Sequence, residues 1–174
     1  MFGERSIQLL RVRGIRIGAS PSWFLILFLA IYLLSGSFQD ALGTTQEEAY
    51  VVAVLAAVLF FASIVLHELG HAFAARRSGI RVEGIDLWLF GGIAKLDRDS
   101  RSPGEEFKVA AAGPAVTLLI VAVCFGITAI VTGAQGAIDV ARLVDGAAGS
   151  RAELLIGFVA SMNAILFVFN LLPA

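Results

Sequence analysis

The sequence predicts an all-α membrane protein: a bundle of four transmembrane helices with a short N-terminal strand and a membrane-associated β-hairpin between helices 2 and 3. Three observations lead to this fold class. Of the 174 residues, 58% are hydrophobic and 16% charged, and the mean hydropathy of +0.86 is too high for a water-soluble domain of this length. Four apolar stretches are long enough to cross a bilayer, because about 20 helical residues span its hydrocarbon core. Basic residues are concentrated in alternate loops.

The four predicted spans cover residues 21–37, 49–75, 103–133 and 151–174, and together form a single transmembrane domain over residues 1–174. The helix starts are well marked, because each has a side chain that can cap the first backbone N–H groups. These capping signals are Ser20 before Pro21, Thr45 with Glu48, Ser102 before Pro103 with Glu105, and Ser150 with Glu153.

The distribution of basic residues predicts the topology. The N-terminal segment has four arginines and the second loop, residues 76–108, has seven basic residues, whereas the first loop, residues 38–48, has none. Basic residues near the ends of spans stay in the cytoplasm. We therefore expect a multi-pass protein with a cytoplasmic N-terminus and a second helix that runs from the outside inward. We also expect its membrane to be that of a prokaryotic cell, which the charge pattern does not itself show.

Two segments have a pattern that is not helical. Residues 11–17 alternate with period two around Gly14, which predicts a short surface strand or hairpin. Residues 80–96 alternate loosely, and we expect a β-hairpin there with Gly91-Gly92 as its turn. Its apolar side, residues 87–90, is predicted to dip into the membrane edge. A packed cytoplasmic hairpin without a role in substrate handling is an equal alternative.

Charge and cysteine content exclude two classes of function. The formal net charge of −1 gives no basic excess for binding nucleic acid. The single cysteine, Cys124, lies in an apolar run, so the chain can form neither a disulfide framework nor a thiolate metal cluster.

The segment from His67 to His71 has the sequence H-E-x-x-H. Residues four apart lie on the same face of a helix, so both imidazoles can reach one metal ion. Zinc suits imidazole nitrogen, and a catalytic zinc site keeps one position open for water. Glu68 is placed to act as the general base that takes a proton from the attacking water and passes it to the leaving amine.

Two features separate this segment from a chance match. His67 and His71 are the only histidines in the chain, and Glu68 is the only Asp, Glu, Lys or Arg between Tyr50 and Ala75. An acid within a membrane span is costly unless it has a function. The plainer alternative is a polar trio that only holds helices together through hydrogen bonds.

These motifs make the chain similar to the site-2 protease family of intramembrane zinc metalloproteases, over nearly its whole length. Members combine H-E-x-x-H near the cytoplasmic end of a membrane helix, a membrane-associated hairpin, a Gly-Pro motif opening the next helix, and N-x-x-P followed by an Asp-Gly. The corresponding segments here are His67 to His71, the Gly91-Gly92 region, Gly113-Pro114, and Asn170 to Pro173. Pro21-Ser22-Trp23 after a short strand also resembles the subgroup that often carries regulatory CBS domains downstream.

The resemblance implies hydrolysis of a peptide bond in or near a transmembrane segment of a membrane-protein substrate, in regulated intramembrane proteolysis within a lipid bilayer. It implies one zinc ion held by His67 and His71, with Glu68 as the catalytic residue. The family's third metal ligand is the aspartate after N-x-x-P. Because the sequence stops at Ala174 within an apolar run, we expect it to be truncated and the aspartate to lie beyond that residue.

The residues leave three alternatives open. Glu83, Asp86 or Asp97 in the hairpin loop could in principle replace the third ligand, although their spacing does not favour it. A membrane metal transporter or sensor would also use histidines within a span, but such sites usually draw polar ligands from several helices. Because the third ligand is missing from the sequence, the chain could also be an inactive fragment that only binds membrane helices.

Overall fold

The computed structural model describes residues 6–88, 91–142 and 149–171. Its elements in chain order are β1 (Ile7–Val12), β2 (Ile15–Ala19), α1 (Pro21–Leu42), α2 (Gln46–Arg77), β3 (Val82–Trp88), β4 (Gly91–Leu96), α3 (Pro103–Ala141) and α4 (Arg151–Leu171). All four helices are long and apolar enough to cross a membrane. The predicted class is therefore confirmed, with one addition, since the strands join into a single four-stranded sheet.

The predicted helix starts are close to those observed. The N–H groups of Glu48, Glu105 and Glu153 donate to the hydroxyls of Thr45, Ser102 and Ser150 at 3.2–3.4 Å, as the capping signals predicted.

Three predicted helix ends were too early, the second helix by only two residues and the first and third by more. Helix α1 continues past the predicted end at residue 37 to Leu42, and the buried ring of Phe38 packs edge-on against Phe158 at 5.6 Å. This packing outweighs the low helix propensity of Gly36. Helix α3 was predicted to end at Gly133, where the backbone does leave helical geometry (φ 76°, ψ 169°), but helical structure resumes and continues to Ala141. Residues 172–174 of the fourth predicted span lie outside the described residues.

The chain divides into two compact units. One comprises Met1–Phe28 and Ile64–Val116, and the other comprises Leu29–Ser63 and Thr117–Ala174. The first unit contains the whole sheet and the H-E-x-x-H segment.

The sheet has the strand order β1-β2-β3-β4, with antiparallel, parallel and antiparallel neighbours in turn. Arg13 and Gly14, with positive φ angles of 47° and 85°, form the tight turn of the first hairpin. The parallel pairing of β2 with β3 was not predicted. Isoleucine and leucine side chains form the core of this unit, and Ile15, Ile17 and Ile85 are fully buried.

The second hairpin forms where it was predicted, but its predicted turn was wrong. Gly91 and Gly92 lie within β4, paired with Trp88 and Leu87, and so are not the turn. Leu87 is buried and Trp88 is 41% exposed, so the strand alternates instead of presenting one continuous apolar side. Leu89 and Phe90, which we also expected at the membrane edge, lie outside the described residues.

In the second unit, Asn163 joins two helices through hydrogen bonds. Its fully buried amide donates to the Ser63 hydroxyl of α2 at 2.9 Å and to the Val159 carbonyl of its own helix at 2.8 Å. Polar side chains commonly link membrane helices in this way.

Candidate metal centre

Helix α2 brings the two histidines together one turn apart. Their Nε2 atoms lie 3.1 Å from each other and the ring centroids 4.8 Å. The His67 side chain is buried, with 2% of its surface exposed, and His71 is half-buried. Two imidazole nitrogens therefore converge on one point within the protein.

A contact with α3 orients His71. Its Nδ1 lies 2.8 Å from the backbone carbonyl oxygen of Val109. A carbonyl only accepts hydrogen bonds, so Nδ1 carries the proton and donates it, and the lone pair of the neutral ring lies on Nε2. This is the arrangement in which a histidine binds a metal through Nε2 while a backbone group holds its other nitrogen.

Glycines allow the close approach of α2 and α3 at this level. A Cβ atom added to Gly113 of α3 would overlap the imidazole ring of His71. A Cβ on Gly70 of α2 would lie only 2.8 Å from the Ala112 carbonyl oxygen. These contacts explain why positions 113 and 70 are both glycine.

Glu68 faces strand β4 of the sheet. A Cβ on Gly92 would lie 2.5 Å from Cγ of Glu68 and 3.0 Å from its Oε1, so the carboxyl group rests directly against the strand backbone. The Gly92 backbone also hydrogen-bonds the Glu68 carboxyl group. The glycine that was predicted to form a turn instead makes room for the candidate base.

The histidine geometry fits zinc. Two nitrogens bound to one tetrahedral zinc at about 2.0–2.1 Å would lie about 3.3 Å apart, close to the observed 3.1 Å. The residues present can therefore supply two of the ligands. Within the described ranges, no cluster of three or more His, Cys, Asp or Glu side chains is placed to hold a metal ion.

The three acidic residues that could replace the third ligand are either bonded to other groups or exposed to solvent. Asp86 forms ion pairs with Arg16 at 2.8 Å and Lys95 at 2.7 Å. Asp97 accepts a hydrogen bond from the Arg81 backbone N–H at 2.9 Å, and Glu83 is exposed. The structure thus gives no support to a third ligand from the hairpin. Residues 172–174 lie outside the described residues.

Sequence reasoning missed the Val109 carbonyl and the contact roles of Gly92 and Gly113. Every residue has a backbone carbonyl, so nothing in the sequence could have identified Val109 as the partner of His71. The two glycines were noticed as motif residues, but their close contacts depend on how α2 packs against α3 and β4.

Comparison with known protein families decides the classification. The family model described as Peptidase family M50 matches residues 55–174, more than half of the chain. The chain belongs to peptidase family M50.

Relatives of this M50 chain are described as metalloproteases. It is 34% identical over 172 residues to sll0528 of Synechocystis, a candidate zinc metalloprotease, and 33% identical over 173 residues to the candidate zinc metalloprotease Rip3 of Mycobacterium tuberculosis. The alignments cover 99% and 97% of this chain but only 41% and 40% of the relatives. The M50 chain thus spans about two fifths of their length.

A solved structure has the same fold. The Site-2 Protease from Methanocaldococcus jannaschii matches the M50 chain with a TM-score of 0.64 and 28% sequence identity, over 97% of this chain and 65% of the other. Family membership and the four apolar helices together indicate an integral membrane protein of a zinc metalloprotease family.

Proposed function

We propose that this M50 chain carries the general base and two zinc ligands of an intramembrane protease, which hydrolyses a peptide bond in or near a transmembrane segment of another membrane protein. One observation supports this proposal above the others: the Nε2 atoms of His67 and His71 converge at 3.1 Å on an apolar helix, with Glu68 between them in sequence. A helix that only packed against its neighbours would not need both imidazole Nε2 atoms at one point.

Each residue of the segment has a defined task. His67 and His71 hold the metal, and the Val109 carbonyl keeps the Nε2 of His71 available by accepting the Nδ1 proton. Zinc supplies Lewis-acid polarisation of the scissile carbonyl when bound. Glu68 accepts a proton from the attacking water and delivers it to the leaving amine nitrogen.

The sheet suggests how a substrate is presented. A transmembrane helix shields its carbonyls in internal hydrogen bonds, so the cleaved segment must unwind into an extended form. Strand β4 lies at one end of the strand order and lacks a neighbour on its outer side within the described residues. Because Gly92 of β4 contacts Glu68, a substrate strand that adds to this edge would pass close to the base.

Family membership also supports a proposal for the biological setting. We propose regulated intramembrane proteolysis, in which a membrane-bound factor is released after a first cut outside the bilayer.

The test is cleavage by the purified full-length protein of a model membrane-protein substrate in liposomes. Removing zinc with a chelator should abolish cleavage, and adding zinc back should restore it, because the polarising metal is required. Mass spectrometry of the products should place the cut within or next to the substrate's transmembrane segment. Cleavage that survives complete zinc removal, or a cut far from the segment, would contradict the proposal.

A further inference from the structure

A groove lies between the C-terminal part of α2 and the N-terminal part of α3, on the Gly70 side of α2. Its volume is about 600 Å³. The apolar wall comprises Gly70, Phe73, Ala74, Ala112, Ala115 and Val116. Three arginines line the same groove, two at the end of α2 and one at the turn between β1 and β2: Arg76, Arg77 and Arg13.

Two of the three arginines, Arg13 and Arg76, are held in place without an acidic partner. Arg76 donates to the backbone carbonyl of Arg13 at 2.7 Å, and the Arg13 guanidinium lies 5.8 Å from the centre of the Phe73 ring. In the part of the chain that the structure describes, none of the three guanidinium groups forms a salt bridge, and the groove is lined by no acidic residue. Their positive charge is therefore available to an anion.

Helix termini alone do not account for this arrangement. Basic residues are favourable in the last turn of a helix, which explains Arg76 and Arg77. It does not explain why Arg13, from a different element and some 60 residues earlier, converges on the same groove. The guanidinium group matches phosphate in both charge and hydrogen-bonding geometry.

The order of charged and apolar residues along the groove matches a lipid. Arg77 is the last residue of α2, a helix long enough to span the membrane, so the arginines lie at the end of a span. From Arg77 back to Gly70 the helix rises by about 10 Å. With the arginines at headgroup level, this rise would carry the apolar wall into the hydrocarbon. A ligand that fits has a phosphate at one end and an alkyl chain at the other.

We propose that this groove binds an anionic glycerophospholipid, with its phosphate at Arg13, Arg76 and Arg77 and the start of an acyl chain along Phe73 and Ala115. The lipid is expected from the cytoplasmic leaflet, whose anionic headgroups attract basic residues next to a span. Bound there, it would fasten the β1-β2 turn to the end of the helix that carries His67 and His71.

The test is binding of dioleoylphosphatidylglycerol to the detergent-purified full-length protein, followed by native mass spectrometry, with dioleoylphosphatidylcholine as the neutral comparison. The parent should prefer the anionic lipid. The double variant R13Q/R77Q, which keeps the Arg76 hydrogen bond, should lower that affinity about tenfold or more, because each basic residue near a membrane surface contributes strongly to anion binding. The control R81Q/R101Q removes the same charge at exposed positions outside the groove and should change the affinity less than threefold.

A second pair of variants tests the apolar wall. Ala115→Trp should block the acyl chain and weaken binding of the anionic lipid, whereas Ala122→Trp, an exposed position on the same helix outside the groove, should not. If R13Q/R77Q has a lowered melting temperature, Arg77→Gln alone serves as the test, because its side chain is exposed.

Three results would overturn the proposal. One is equal binding of the two lipids by the parent. Another is an equal loss of affinity in both double variants, which would indicate diffuse charge attraction. The third is displacement of the anionic lipid, one for one, by a transmembrane peptide of the protease substrate, which would assign the groove to a peptide.

Discussion

At the scale of single residues, the candidate site depends on two glycines and one backbone carbonyl. Gly113 leaves space for the His71 ring, Gly92 leaves space for Glu68, and the carbonyl of Val109 orients His71. The sequence predicted the histidines and the glutamate, because a spacing of four residues on a helix is a local property. It could not predict the supporting contacts, because they join residues about 25 to 40 positions apart.

The role of Gly113 is open to a direct test. Replacing Gly113 with alanine should displace the His71 ring, because the added methyl group would occupy its position. Zinc affinity of the full-length protein should fall about 10- to 100-fold, the usual effect of disturbing the surroundings of a metal ligand. Bound zinc would be measured by titration against a competing chelator.

The matched control lies on the same helix. A Cβ on Gly126 meets no atom within 4 Å, so Gly126→Ala should leave zinc affinity unchanged. Equal zinc affinity in the parent and in Gly113→Ala would show that His71 does not need this space.

At the scale of elements, local patterns predicted where helices and hairpins form but not how the strands combine. Capping residues marked the helix starts, since they act within one turn. The parallel pairing of β2 with β3 brings Arg16 opposite Gly84, with α1 and α2 between them in sequence. No local pattern records such a pairing. The turn was wrongly predicted at Gly91-Gly92 for the same reason. Position 92 has no room for a side chain because Glu68, on helix α2, lies against it.

A cluster around Asp86 joins three strands. Its carboxylate bonds to Arg16 of β2, to Lys95 of β4 and to the Ser6 hydroxyl. Burial by itself raises the pKa of Asp86, but the hydrogen bonds from Lys95 and Ser6 and the positive charges of Lys95 and Arg16 outweigh it and lower the pKa below its ordinary value.

Asp86→Asn should therefore destabilise the protein at neutral pH, by about 1 kcal/mol for a cluster this close to solvent. A lowered pKa in the folded state contributes stability above the unfolded pKa of about 3.9, and this contribution is lost as the pH falls through the folded value. The difference in melting temperature between parent and variant in detergent should thus shrink between pH 5 and pH 3. Asp99→Asn, at an exposed position without an ion pair among the described residues, is the control. A difference that is the same at both pH values would argue against the charge of Asp86 as its source.

At the scale of the whole molecule, composition and hydropathy predicted the four membrane-length helices and their order. They succeeded because a helix in lipid must be apolar along about 20 residues, a requirement that can be read from the sequence. The orientation in the membrane stays a prediction from loop charge. Likewise, the third metal ligand and the full extent of the domain stay predictions.

Topology can be tested by labelling single cysteines in intact cells after Cys124 is replaced by alanine. The basic residues of the second loop should keep Ser100→Cys in the cytoplasm and inaccessible to a membrane-impermeant reagent. Gln46→Cys, in the acidic first loop region, should be labelled from outside. Labelling of both positions from the same side would contradict the predicted four-span topology.

We propose that Glu68 is the base of a zinc protease whose metal is held by His67 and His71. The most direct test compares Glu68→Gln, His67→Ala and His71→Ala in the full-length protein, with zinc content and cleavage of a membrane substrate measured on the same samples. Glutamine keeps the size of Glu68 but cannot accept the proton, so zinc should stay bound while cleavage falls about 100- to 10,000-fold. Each histidine variant should lose both zinc and cleavage. Cleavage by Glu68→Gln at the parental rate would contradict the mechanism, and loss of its zinc would make Glu68 a ligand and favour a metal carrier or sensor.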